Sequence, residues 1–288
     1  MFSDDLNVFQ LFDRFTTPEA VTSKLSECRT NVHRWGKANR VTFDENKEHI
    51  IILHPTYAFG DAFNLLGCLT DPKLTMRPAV DKILSRVRPR IKALLRTRKH
   101  YSASSLIDQF KTQIWGLMES HSGGIFHAAT SILDQLDHSQ KHFLEALEVT
   151  QETAFLQHNF APPTLRRNIA ILGMIHKRVL GECHPSYEEL LPYFSQRFGR
   201  DLQNRHSKQL YGHCNEIVAQ WRLWERSIFG MVDRYNSLSQ AAVDLPSVST
   251  FQIFLTETAR ARCEAGDGKW MYIFDIRLRR ANGEPADP

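Results

Sequence analysis

Three groups of residues in this 288-residue chain have the types and spacing to do chemistry. The first is Asp4-Asp5, preceded by Phe2-Ser3 and followed by Leu6-Asn7-Val8-Phe9. Adjacent carboxylates between an aromatic and an apolar run predict a tight strand–turn–strand that aims oxygens at Mg²⁺, a hard ion that takes oxygen ligands. Two such ions about 3.5–4 Å apart stabilise the attacking and leaving oxygens of phosphoryl transfer. A solvated turn or a helix cap is the competing reading of the same pair. The second group is cationic. From Lys82 to Lys99 there are eight basic residues and no acidic one: Lys82, Arg86, Arg88, Arg90, Lys92, Arg96, Arg98 and Lys99. The third is Cys183-His184 and His213-Cys214, with His206 nearby. These are zinc-type ligands, but they lack the C-x₂₋₄-C or H-x₃₋₅-H spacing of a zinc site and read as a chance cluster. The chain has no G-x-S-x-G, no P-loop and no G-x-G-x-x-G.

The elements that would position these groups follow from periodicity and punctuation. At 100° per residue, Val80, Ile83, Leu84, Val87, Ile91, Leu94 and Leu95 share one arc, and every cation of the run except Arg98 falls outside it. That predicts an amphipathic helix over 78–99 with an almost purely cationic wet side, split or kinked at Pro89. Solvated faces ordinarily mix signs, so one-sided charge points to phosphate tracking. Upstream, a strand is predicted at 6–12, then a helix from Thr17, with Pro18 at its first position and Glu19 in its first turn. Its apolar positions Val21, Leu25, Cys28, Val32 and Trp35 give one buried face, and Gly36 a stop. Strands are predicted at 41–43, 49–54 and 62–69, the last closed by Asp71-Pro72. Beyond Met76 the pattern is helical, at 103–119, 127–148, 164–181 and 208–238, with a shorter element at 250–262 and a frayed tail over 276–288. Trp221, Trp224, Ile228 and Phe229 sit at helical spacing and read as core.

Phe2-Ser3-Asp4-Asp5 resembles the aromatic-x-Asp-Asp box of reverse transcriptases. The segments behind it follow the downstream order of non-LTR (LINE-type) retrotransposon polymerases. A helix ends in His33-Arg34-Trp35-Gly36-Lys37-Ala38-Asn39. Then come Val41-Thr42-Phe43-Asp44-Glu45-Asn46-Lys47, a hydrophobic strand, Phe63-Asn64-Leu65-Leu66-Gly67, the basic helix and Pro162-Pro163-Thr164-Leu165-Arg166-Arg167-Asn168-Ile169. The resemblance covers most of the chain. Each motif is short, and the specificity lies in their order. It implies that Asp4 is a ligand of catalytic Mg²⁺ with Asp5 beside it. It makes Lys47 the general acid for departing pyrophosphate, with a solvated turn lysine as the other reading. It sets Gly67 in the segment that supports the primer end, where a plain edge-strand glycine is the alternative. It makes the basic helix a thumb helix on a primer–template duplex. The fingers and the upstream metal-binding aspartate of such polymerases have no counterpart in this sequence. The expectation is therefore a fragment of an RNA-directed DNA polymerase, inactive alone, with Mg²⁺ in the intact family member and none tightly bound here. The alternative is a non-catalytic nucleic-acid-binding or helical interaction protein.

Composition sets the remaining bounds. Hydrophobic residues at 42% and charged residues at 24% are ordinary for a globular chain with a sizeable core. The net charge of +4 is modest, so any nucleic-acid preference must come from how charge is distributed. Five scattered cysteines without a C-x-x-C pair argue against a disulfide framework and for a reducing compartment. A start of Met-Phe-Ser-Asp-Asp is no secretory leader, and no apolar run reaches the roughly 20 residues of a membrane span. An intracellular chain, nuclear or cytoplasmic, is expected. Its expected partners are RNA, DNA or an RNA–DNA hybrid, plus an upstream polymerase segment if the chain is part of a longer protein. The expected fold is α+β: a small partial palm sheet with one packed helix over 1–75, a helical thumb-like region over 76–160, a helical region over 161–275 and a disordered tail.

Overall fold

The computed structural model describes residues 6–13, 15–44, 47–54, 58–194, 206–212 and 221–277. The chain divides into two compact units, Met1–Asp61 and Ala62–Pro288. The described residues are mostly helical and contain one two-stranded antiparallel sheet, in keeping with the α+β class. Among them, no helix is long and apolar enough to cross a membrane.

The first unit is built on α1, Pro18–Ala38. Its start is as predicted: the Thr17 side chain accepts the Ala20 N–H, with Pro18 at the head of the helix. Its end is not. Gly36 does not stop the helix but lies inside its last turn, and there the chain folds back so that a side chain on Gly36 would meet the Phe43 ring at 2.6 Å. The predicted buried face is only half covered: Val21, Leu25, Cys28 and Val32 are half-buried and Trp35 is exposed. Leu6 and Val8 line an apolar groove of about 600 Å³ along it. The strands expected at 6–12, 41–43 and 49–54 do not form. An isolated Ile52–Phe59 bridge is the pairing found among the described residues there. Strand formation needs a ladder partner and usually a third strand, and the apolar pattern supplies neither.

The second unit opens on a hairpin, β1 (Phe63–Leu65) and β2 (Cys68–Thr70), paired with Leu65 opposite Cys68. The single strand predicted over 62–69 is thus two strands reversed by Leu66-Gly67. Both turn residues have positive φ, 48° and 85°, as a two-residue hairpin turn demands. α2 follows at Arg77–Arg96 as one unbroken helix. Pro89 does not split it, because Val87 and Ile91 on either side are buried and hold the helix to the core. Then come α3 (Ala103–Phe110), a π turn (Lys111–Trp115), α4 (Gly116–Glu119), α5 (Ser122–Ile125), α6 (Thr130–Ala146) and α7 (Gln151–His158). The apolar face of α2 packs with these in one core, centred on Leu84, Phe110, Leu136 and Phe143. α8 (Pro163–Val179) and α13 (Val248–Glu264) frame a second core with Phe155, Tyr235, Phe251 and Trp270.

Between them, α9 is Ser186–Leu190, α10 Trp221–Glu225, α11 Met231–Asn236 and α12 Gln240–Val243. The long helix predicted over 208–238 is therefore absent from its described parts beyond α10 and α11. Residues 206–212 are irregular, tied down where Leu210 pairs with Tyr193 and exchanges hydrogen bonds with Asn236. The element predicted at 250–262 is the 17-residue α13.

Candidate nucleic-acid interface

α2 sorts its side chains as the periodicity requires. Ala79, Val80, Ile83, Leu84, Val87, Ile91 and Leu94 are buried, while Lys82, Arg86, Arg88, Arg90, Lys92 and Arg96 are exposed, as are Arg98 and Lys99 in the turn just beyond the helix. Among the described residues, none of the eight is in an ion pair. Where their side chains make hydrogen bonds, the acceptors are neutral: Arg90 donates to the Arg86 carbonyl and Lys82 to Asn64 Oδ1 at 2.9 Å. At about 1.5 Å per residue the row from Lys82 to Arg96 is roughly 21 Å long. Exposed Asp81 beside Lys82 is the one acid of α2, and a row with so strong an excess of exposed cations attracts polyanions in a way that salt screens.

The helix is aimed from its first turn. Asp71 is buried, and its carboxylate accepts the N–H of Met76 at 2.6 Å and both the N–H and hydroxyl of Thr75 at 3.0 Å. That carboxylate occupies the positive end of the helix dipole.

Gly67 meets this row. Gly67, Lys82 and Arg86 line one cleft of about 300 Å³ with Ser120 and His121 from the α4–α5 junction. A side chain at Gly67 would approach His121 Nε2 to 3.2 Å. Ser120 Oγ holds the other ring nitrogen of His121 at 2.7 Å. Cys68 shares the cleft. Burial pushes its thiol above the ordinary 9.0, against the pull of Thr70 and Lys82, which favours the neutral thiol. Ser120 and His121 were not legible as site residues. Their one local mark is the turn signal Gly123-Gly124 just beyond them.

Compared with protein-family models, curated proteins and solved structures, the chain matches none.

The other predicted residues fall elsewhere. Asp4 and Asp5 lie outside the described residues. Lys47 belongs to the first unit, where its side chain is 84% exposed and 3.8 Å from Asp44. Among the described residues no three His, Cys, Asp or Glu side chains gather into a group that could hold a metal ion. His213 and Cys214 also lie outside them. His206 is a core residue: Nδ1 accepts the Lys208 N–H and Nε2 donates to the Tyr235 carbonyl. Cys183 is a free thiol, as are Cys28, Cys68 and Cys263.

The arginines of Pro162–Ile169 are structural. Arg166 forms a two-pronged pair with Glu119, one contact at 2.7 Å, and lies 3.7 Å from the centroid of Trp115. Trp115 in turn stacks on Phe160. Arg167 binds Asp137 at 2.6 Å, and the same carboxylate accepts the Thr164 N–H at 2.7 Å. This segment fastens α8 to α4 and α6.

Proposed function

We propose that the chain binds the sugar–phosphate backbone of duplex or hybrid nucleic acid through the exposed face of α2, as the carboxyl-terminal part of an RNA-directed DNA polymerase of the LINE type. The observation that carries the binding is the run of eight exposed cations, six on the core-anchored helix α2 and two just beyond its end, none of them in an ion pair among the described residues. Phosphates supply the missing counter-charges, and a helix side reads their spacing without reading sequence. The polymerase assignment is supported by the order of the short motifs. In it, α2 is the thumb helix, Asp4 and Asp5 hold Mg²⁺ and Lys47 neutralises pyrophosphate.

Titration of a labelled RNA–DNA hybrid at several salt concentrations tests the binding. Affinity should fall steeply with salt, with a log–log slope near −0.9 for each phosphate contact, and depend little on sequence. Replacing Arg86, Arg90 and Arg96 with glutamine should shrink the slope by up to about three units and leave the fold intact. An unchanged slope in that variant would leave the helix an ordinary solvated face. An acidic protein as the true partner would give no dependence on phosphate count.

A further inference from the structure

The cleft at the hairpin end of α2 has features that a phosphate-tracking face does not use. A helix that only follows a backbone needs charge and exposure. This cleft has walls, and it has an apolar floor formed by buried Ile83 and half-buried Leu117. No carboxylate lines it. Of the two acids next to lining residues in the chain, Glu119 is bound by Arg166 and Asp81 is exposed beside Lys82. Lys82 is held in place by Asn64 of β1 at 2.9 Å, and the His121 ring is held by Ser120. The turn at Gly67 leaves the space open, since a side chain there would reach toward His121 from a backbone with φ +85°. At about 300 Å³ the volume stands at the small end of ligand sites, too small for a duplex and adequate for one nucleotide.

We infer that this cleft holds a single nucleoside phosphate unit. Lys82 and Arg86 take the phosphate, and the base or sugar lies over Ile83 and Leu117 against the His121 ring. Aromatic and apolar surfaces accept any base by stacking, so the site is base-tolerant. The inference rests on the reading of α2 as a backbone-binding helix and adds a nucleotide-sized end to it. The unit has two possible sources: a free nucleotide, or an unpaired nucleotide at the end of a strand.

The test uses the full chain and separates the two sources. Free dAMP, ribose 5-phosphate and inorganic phosphate are titrated by calorimetry. Binding of a blunt RNA–DNA hybrid is compared with one carrying a single unpaired nucleotide. The expected result is a gain of at least about threefold for the unpaired end, tighter binding of dAMP than of phosphate, or both. Ser120→Trp, which fills the cleft from an exposed position, should abolish these gains while blunt-hybrid affinity and its salt slope stay unchanged. His121→Ala should weaken them, and it guards against a folding defect in the tryptophan variant. A gain for the overhang alone assigns the site to a strand end, and binding of dAMP alone assigns it to a free nucleotide. Equal binding of phosphate and dAMP, or gains insensitive to both variants, would overturn the inference. Loss of blunt-hybrid binding itself would instead strike the reading of α2.

Discussion

Arg167 and Arg96 carry the same charge to opposite ends. Arg167 is 4% exposed and bound to Asp137, which also caps Thr164. Truncating one partner of a buried pair leaves the other uncompensated, so Arg167→Ala should cost about 3 kcal/mol in urea unfolding. Arg96→Gln, on the wet side of α2, should stay within about 0.5 kcal/mol. Similar costs for the two would show that the segment at the head of α8 is not the fastener described. A second residue-scale expectation concerns buried His176. Its Nε2 donates to the Leu245 carbonyl and its Nδ1 accepts from the Tyr235 hydroxyl, with the ring stacked on Phe251. Burial holds it below its ordinary 6.5, against the Leu245 carbonyl, while nearby Lys208 lowers it further and Glu182 raises it. Burial shifts His206 and His127 the same way. Below about pH 6.5 the unfolded chain takes up protons that these folded imidazoles refuse. Stability should thus be full above pH 6.5 and fall as pH drops toward 5. In His176→Gln the slope should be shallower by up to about 1.4 kcal/mol per pH unit. Thermal melts across that window give the answer, and identical slopes in the two proteins would absolve His176.

The elements differ in how they are held, and α2 shows it best. Asp71→Ala would leave the buried Met76 N–H without its acceptor and should cost about 2 kcal/mol, with hybrid affinity well below the melting temperature unchanged. Pro89 lacks the N–H that would reach back to the Ser85 carbonyl, so Pro89→Ala should stabilise by at least about 1 kcal/mol. A destabilised alanine variant would mean that the proline relieves some strain in the bound or free helix. That α2 runs through its proline was hidden from the sequence because local propensity opposes it and the burial of Val87 and Ile91 decides it. The start of α1 and the two-faced pattern of α2 were legible, since a capping threonine, a first-turn proline and a seven-residue apolar arc act locally. α7 was not. Its eight residues have weak amphipathicity, and it is stabilised by Phe155 stacking on Trp270, more than a hundred positions away. The hairpin was half legible: the apolar run was seen, and the reversal at Leu66-Gly67 was missed because leucine rarely takes positive φ. Of the cleft, Gly67, Lys82 and Arg86 could be picked out one by one. Their meeting with Ser120 and His121 depends on how α4 packs against α2, and spacing along the chain carries no trace of it.

At the scale of the molecule, charge and core are both unevenly shared. The cations of 82–99 sit on a chain whose remaining residues are net negative, so the positive charge is concentrated in that segment. The second unit holds that segment and both apolar cores. The first unit owns little interior: in α1 only Gly36 is buried, and Phe9, Leu11 and Phe15 are 74%, 97% and 77% exposed. About 60 residues make a marginal domain even with a well-formed core. Residues 62–288 expressed alone should therefore unfold in one cooperative transition and keep the salt slope of the whole chain for an RNA–DNA hybrid. Residues 1–61 alone should show partial helicity by circular dichroism and a broad, non-cooperative melt. A sharp transition in the short fragment would mean that the half-covered face of α1 suffices as a core. Loss of the salt slope in the long fragment would mean that cations outside α2 dominate binding, with Lys24, Arg34 and Lys37 of α1 the first to examine.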